Sequence, residues 1–395
     1  MKIYLDYAAT TPVDQKVLNK MLPYFKEKFG NPMTIHSFGQ EASEAVEKAR
    51  TQVANFLSCD SREVIFTSGA TGSNNLAIKG LIKKYYLQNH SLKQKPHIIT
   101  TQFEHHCVLD SCKTLEKQGM VEVTYLPVNS GGVVKVKDVE KAIKSNTILI
   151  SIMYVNNEIG TVQPIKEIGK LVKKAKNIYF HTDAVQAINY FDCDVKKLNV
   201  NLLSLSAHKI YGPKGVGILY KKVNTPLSSI MDGGGQEQGL RSGTHNVPGI
   251  VGLGEAIQQV KSQSSKVKNI VKLRDYLIKR ILKEIPGSYL NGSKVKRSPN
   301  NANFRFDSVE GESLLMMLQM EGVSVGTGSA CSSGSLQASH VLLSLGIKQE
   351  QSHGSLRLTL GKQTTKKEID YTINKLKQII TRLRKISGDV LKEFK

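Results

Sequence analysis

The chain has 395 residues, long enough for two ordinary domains with full cores. Hydrophobic residues make up 40% and charged residues 22%, which is globular material and excludes a disordered or fibrous chain. Lysine and arginine outnumber aspartate and glutamate by 55 to 33, a net charge of +22. The lysines are dispersed at helical spacing between apolar residues, as in Lys266, Lys268, Lys272, Lys279 and Lys283, which describes a solvated helix face. No aromatic RNA-binding motif or zinc finger accompanies them, so direct nucleic-acid binding is not expected.

Met1 to Asp6 goes straight into a strand-like pattern, without the basic and apolar regions of a secretory signal. The five cysteines, at 59, 107, 112, 193 and 331, show no framework spacing and no CxxC, which suits a reducing compartment. In chain order, strands are expected over Glu63–Thr67, His97–Thr100, Thr147–Val155, Ile178–Thr182, Val200–Ser206 and Gly215–Leu219. The longest near-continuous apolar run, Ile148–Val155, is far too short to cross a bilayer. Amphipathic stretches, including Ser43–Leu57 and Pro164–Ala175, separate the strands. That alternation implies βα units and a largely parallel sheet covered on both faces. Residues 83–97 read as a polar surface excursion, and Asn224–Thr244 as a loop. A helical stretch over about Gly249–Ile285 follows. After Pro286 come Asn303–Phe306, Gly311–Glu321 and Val323–Val325, then a loop, then a last helix opened by the capping box Thr365-Lys366-Lys367-Glu368. This second part reads as a smaller α+β domain.

Ligands of an open α/β sheet gather beyond the carboxyl ends of its strands. After Phe66-Thr67 comes Ser68-Gly69-Ala70-Thr71-Gly72-Ser73, a small-residue helix start suited to cup a phosphate. The next strand ends carry Glu104-His105-His106, Asn156-Asn157-Glu158, Asp183-Ala184-Val185-Gln186 and Ser206-Ala207-His208-Lys209. Each alone has an ordinary structural reading, such as a helix cap or a solvated turn. His105, His106 and Cys107 are adjacent and do not converge on one ion, so no metal site is expected. An anion cup, an acid, an imidazole and a desolvated lysine together describe a pyridoxal 5′-phosphate site. The lysine forms the Schiff base and the acid keeps the ring nitrogen protonated.

Six stretches then carry a specific resemblance over essentially the whole chain. They are Tyr4-Leu5-Asp6-Tyr7-Ala8-Ala9-Thr10-Thr11-Pro12, Phe66 to Thr71, Val155 to Gly160, Ser206 to Gly215, Arg241-Ser242-Gly243-Thr244 and Gly328-Ser329-Ala330-Cys331. The chain resembles the cysteine desulfurases of the NifS/IscS group, in the class V aminotransferase superfamily. The resemblance implies the fold-type-I pyridoxal phosphate architecture: a large domain with a mainly parallel seven-stranded sheet, here residues 14–258, and a smaller α+β domain. The smaller one would comprise residues 1–13 and 259–395 and carry a mobile cysteine loop at about 324–336.

By resemblance, Lys209 would bind the cofactor covalently, Asp183 would face its ring nitrogen and Gln186 its ring hydroxyl. His105 would stack on the ring and assist proton transfers. Ala70, Thr71, Ser206 and His208 would hold the phosphate, with Thr244 reaching the phosphate of the other subunit of a homodimer. Asn157 and Arg357 would hold the carboxylate of L-cysteine, Asn157 also lying near the ring hydroxyl. Cys331 would accept the sulfur as a persulfide, and at most hold or deliver sulfur to an iron–sulfur cluster transiently. Its flanks, Ser324 to Ser335, are rich in glycine and serine and suit a tether better than a core. The acceptors implied are an iron–sulfur scaffold protein, a tRNA-thiolation enzyme, or both, in the cytoplasm. Gly72 stands where the family usually carries an acid and Ala207 where glycine is common. The sequence given ends at Lys395 without the extended tail of the housekeeping enzymes, which leaves the acceptor open. A selenocysteine lyase or another class V enzyme, which would not require Cys331, stays open as an alternative. So does a basic nucleic-acid-binding protein.

Overall fold

The computed structural model describes residues 2–89, 94–175, 177–261, 264–327 and 338–393. Its strands are β1 (Ile3–Tyr4), β2 (Val64–Thr67), β3 (His97–Thr101), β4 (Glu122–Leu126), β5 (Thr147–Ser151), β6 (Tyr179–Asp183), β7 (Leu202–Ser206), β8 (Gly217–Lys221), β9 (Ser288–Leu290), β10 (Asn301–Phe306), β11 (Val323–Ser324) and β12 (Ser355–Thr359). Seven of them form one sheet in the order β2-β8-β7-β6-β5-β3-β4. The neighbours from β7 to β4 pair in parallel, whereas β8 runs antiparallel to both β7 and β2. The fold is therefore α/β with a mostly parallel seven-stranded sheet, as the sequence pattern implies. Strands β2, β3, β5 and β7 are buried along their whole length, which is why they read as apolar runs without alternation.

The edge strand β4 was not anticipated. Its sequence Glu-Val-Thr-Tyr-Leu is half-buried and gives no continuous apolar signal. The expected strand Thr147–Val155 stops at Ser151, where the chain leaves the sheet to build the turn Asn156–Gly160. Residues 83–97 are not a surface excursion throughout. The helix Ala70–Gln88 runs on through Tyr85 and Tyr86, which pack against a core that includes Ile78, Ile82 and Leu115. The helix over Ser43–Leu57 begins earlier, at Ser37, because the His36 ring accepts the Gly39 N–H and caps it there. It buries Ala42, Ala45, Val46, Ala49, Val53 and Leu57, the i, i+3, i+4 face that packs chiefly on the helix Val247–Lys261.

Beyond the large sheet, the antiparallel β12-β10-β9 forms a second one, and β1 pairs in parallel with β11. One apolar cluster gathers Ile3 and Leu5 with Leu277, Phe304, Leu318, Leu358 and Ile373. The last helix, Lys366–Glu393, opens on the expected capping box. The Thr365 N–H donates to Glu368 Oε2 at 2.7 Å and the Glu368 N–H to Thr365 Oγ1 at 3.3 Å. Because β1 joins a late strand, residues 5–11 then run across the carboxyl edge of the large sheet. Among the described residues, no helix is long and apolar enough to cross a membrane.

Candidate active site

The carboxyl ends of β2, β3, β5, β6 and β7 open onto one cleft of about 590 Å³. Its lining includes Ala70, Thr71, His105, Asn157, Asp183, Gln186, Ser206, His208, Lys209 and Arg357. Every cleft residue expected from the sequence is therefore brought together, with two exceptions. Thr244 is exposed and does not line this cleft. Cys331 lies outside the described residues.

Local structure explains the convergence. Gly69 precedes the helix Ala70–Gln88 with φ 144°, ψ 174°, backbone that only glycine enters without strain. No side chain caps that helix, so its first N–H groups face the cleft without an internal acceptor from a cap. Asp183 ends β6, and both its oxygens are held. Oδ1 accepts the Val185 N–H at 3.0 Å and Oδ2 accepts Asn74 Nδ2 at 2.7 Å. Lys209 closes the 3₁₀ turn after β7, and its Nζ donates to the carbonyls of Ala8 at 2.6 Å and Ala9 at 2.7 Å. Gln186 Nε2 donates to the same Ala8 carbonyl at 3.0 Å. His208 Nδ1 lies 3.1 Å from Thr10 Oγ1. Burial, with Lys209 and Lys214 adding to it, pushes the His208 imidazole down to about 4, so the ring is neutral near pH 7.

His105 caps the helix His106–Lys117. Its Nδ1 accepts the Cys107 N–H at 3.2 Å, which places the ring proton of the neutral form on Nε2. Burial lowers its pKa, against the pull of Asp183. Cys107 Sγ is 3.0 Å from the same Nδ1, and burial and Asp183 push its thiol up to about 12. Cys107, Asn74 and Asp6 also touch cleft residues, on His105, Asp183 and Arg357, and carry no sequence signal of it. Cys107 sits on a helix of ordinary amphipathic pattern, and Asn74 and Asp6 lie inside stretches whose other residues drew the attention. Nothing in the spacing showed that these three reach Asp183, His105 and Arg357.

The chain matches the family model for the class-V aminotransferases over residues 3–372. It is 51% identical over 387 residues to the cysteine desulfurase IscS of Dictyoglomus turgidum, covering 98% of this chain and 96% of that protein. It is 47% identical over 394 residues to the cysteine desulfurase IscS of Methanosarcina thermophila, covering 100% and 95%. Among solved structures, a NifS-like protein superposes with a TM-score of 0.89 at 39% identity, over 96% of this chain and all (100%) of the other. SspA in complex with cysteine gives 0.80 at 37% identity, over 92% and 100%. The chain belongs to the class-V aminotransferase family and uses pyridoxal 5′-phosphate.

The residues present fit that cofactor. The uncapped helix start, Ser206 and neutral His208 offer donors to a phosphate. Asp183 offers a carboxylate fixed at both oxygens, and Lys209 an amine. Asn157 lines the cleft with a buried Oδ1 that has no partner among the described residues, an acceptor for a ligand hydroxyl.

Proposed function

We infer that the chain is a cysteine desulfurase, converting L-cysteine to L-alanine and holding the released sulfur as a persulfide on Cys331. The observation that carries this is one cleft joining an anion cup, a pinned carboxylate and a lysine, in a chain half identical to named cysteine desulfurases. The cofactor, when bound, supplies an electron sink for the pair left on the substrate Cα. Lys209 would hold it covalently and would take the Cα proton. Asp183 would meet its ring nitrogen, Gln186 and Asn157 its ring hydroxyl, and His105 would cover the ring and move protons through Nε2. Ala70, Thr71, Ser206 and His208 hold the phosphate. Asn157 and Arg357 hold the substrate carboxylate. The Cys331 thiolate attacks the substrate sulfur, the carbon–sulfur bond breaks, and protonation of the remaining three-carbon fragment gives alanine.

The enzyme acts as a homodimer, with Thr244 completing the phosphate site of the other subunit. A run of exposed apolar side chains supports a second copy: Phe25, Phe29, Met33, Phe38 and Ile35, the last 92% exposed. Residues 14–258 form the large domain, and residues 1–13 with 259–395 the small one. The persulfide sulfur passes to an iron–sulfur scaffold, a tRNA-thiolation enzyme, or both, in the cytoplasm.

One experiment tests the assignment. Borohydride treatment of the cofactor-loaded protein, followed by peptide mass spectrometry, is expected to find the reduced pyridoxyl group on Lys209. Cys331→Ser is expected to keep that label and lose sulfide release from cysteine. A label on another lysine, or undiminished sulfide from Cys331→Ser, removes the proposal.

A further inference from the structure

Arg357 stands on β12 with its side chain 7% exposed, and it lines the cleft. Its Nη2 donates to Asp6 Oδ1 at 2.7 Å and its Nη1 to the Asn157 carbonyl at 3.0 Å. Its Nε is buried and has no partner among the described residues. Asp6 comes from the other end of the sequence, where the chain leaves β1 and bridges to Thr359, two residues along from Arg357. We propose that Asp6 is a positioning residue for the substrate carboxylate, acting through Arg357. The inference rests on the reading of Arg357 given above.

A guanidinium offers five N–H groups in one plane, and it recognises a carboxylate only when that plane is aimed. The long arginine stem does not aim itself. Here Asp6 and the Asn157 carbonyl take one N–H each from Nη2 and Nη1, which fixes the plane of the fork and leaves the remaining Nη N–H groups for a second carboxylate. Asp6 also gives the buried cation a counter-charge before substrate arrives, without which its burial is strongly unfavourable.

Gly326 supports the assignment independently. Its φ is not positive, so its backbone does not demand glycine. Its strand-like exchange with Arg357, N–H to carbonyl in both directions at 3.0 and 2.7 Å, is open to any residue. Space demands it: a Cβ there would sit 2.7 Å from Asp6 Oδ1, 2.8 Å from Arg357 Nη2 and 3.1 Å from Arg357 Nε. The pair occupies the volume a side chain would take.

Asp6 has a competing reading, as a negative charge that merely repels the substrate carboxylate. The two differ in sign. Positioning predicts that Asp6→Ala raises KM for L-cysteine about ten-fold at nearly constant kcat, and Asp6→Asn, whose neutral oxygen accepts more weakly, about three-fold. Gly326→Ala is expected to raise KM as well. Cofactor affinity and absorbance should not move in any of the three. Cysteamine, which lacks the carboxylate, should bind each variant as it binds the parent, measured by its perturbation of the cofactor spectrum. A KM that is unchanged or lowered in Asp6→Ala or Asp6→Asn overturns the proposal, as does an equal loss of cysteamine binding. If Asp6→Ala does not fold, Asp6→Asn decides alone. Arg357→Ala separates the two layers: an unchanged KM there removes the carboxylate reading itself. A raised KM there with an unchanged one in the Asp6 variants removes only the role of Asp6.

Discussion

The amine of Lys209 lies 2.6 Å from the carbonyl oxygen of Ala8, a residue 201 positions away in the sequence. Residues 6–11 touch the cleft repeatedly: Asp6 on Arg357, Ala8 and Ala9 on Lys209, Ala8 on Gln186, and Thr10 on His208. The sheet supplies the reactive groups, and this short segment holds them in place.

Thr10 tests that division of labour. Thr10→Val keeps the side-chain volume and removes the hydroxyl that His208 Nδ1 meets. Cofactor affinity, measured by equilibrium dialysis of the apoprotein, is expected to fall about five-fold, the scale of one neutral hydrogen bond. Far-ultraviolet circular dichroism should be unchanged. Unaltered affinity would show that the segment does not orient His208.

Glu237 predicts an acid limit to stability. It is buried and accepts from Arg50 Nη1 at 2.8 Å and Nη2 at 2.7 Å, from His245 Nε2 at 2.7 Å and from the Phe66 N–H at 2.7 Å. Burial alone would raise its pKa, but these bonds outweigh it and hold the carboxyl at about 2. A carboxyl depressed in the folded state stabilises above its unfolded pKa, and that stability is lost as pH falls toward the folded value. The contribution is about 3 kcal/mol, present in full above about pH 5 and lost between there and about pH 2. Urea unfolding at stepped pH checks it, and Glu237→Gln should remove this group's share of the slope. Glu237 and Gln238 stand at φ 50° and 59°, left-handed values uncommon for such residues.

Thiol chemistry should be selective. Burial raises the thiols of Cys59 and Cys107 to about 12, and raises Cys112 and Cys193 as well. Brief iodoacetamide treatment at pH 8 is therefore expected to spare these four, because the thiolate is the nucleophile. Mass spectrometry should place the alkyl group on Cys331. Labelling of Cys107 in the native protein would contradict its raised thiol pKa beside His105.

Gly169 predicts a packing limit. A Cβ there would lie 1.9 Å from the Leu198 carbonyl, where the helix Ile165–Val172 crosses the turn Val195–Leu198. Gly169→Ala is expected to destabilise by about 1–3 kcal/mol through overpacking, despite alanine's better helix propensity. A thermal shift upward would refute the close approach.

The large sheet was legible in the sequence because its central strands are buried on both faces, so their apolar runs are unbroken. The edge strand β4 and the short β9 lack that signal and went unread, and β12, which carries Arg357, lies where a loop was expected although it is buried throughout. The cleft was legible because the polar side chains that line it sit next to strand ends, where the chain order itself announces them: His105, Asp183, Lys209. What stayed hidden are contacts that join distant parts of the chain. Asp6 and Arg357 are 351 positions apart, and Arg50 and Glu237 are 187 apart. No local periodicity reports such a pair. Cys107 stayed hidden for another reason, since a helix start looks the same whether its thiol faces core or cleft.

The pairing of Ile3 with Val323 and of Asp6 with Thr359 bears on the order of assembly. Residues 3–6 find these partners only after more than three hundred others have followed them in the chain. The seven-stranded sheet is complete in sequence by Lys221, while the segment that braces Lys209 must wait for β11 and β12. The carbonyls of Ala8 and Ala9 that Lys209 meets are thus set in place by strands far later in the chain than the lysine itself.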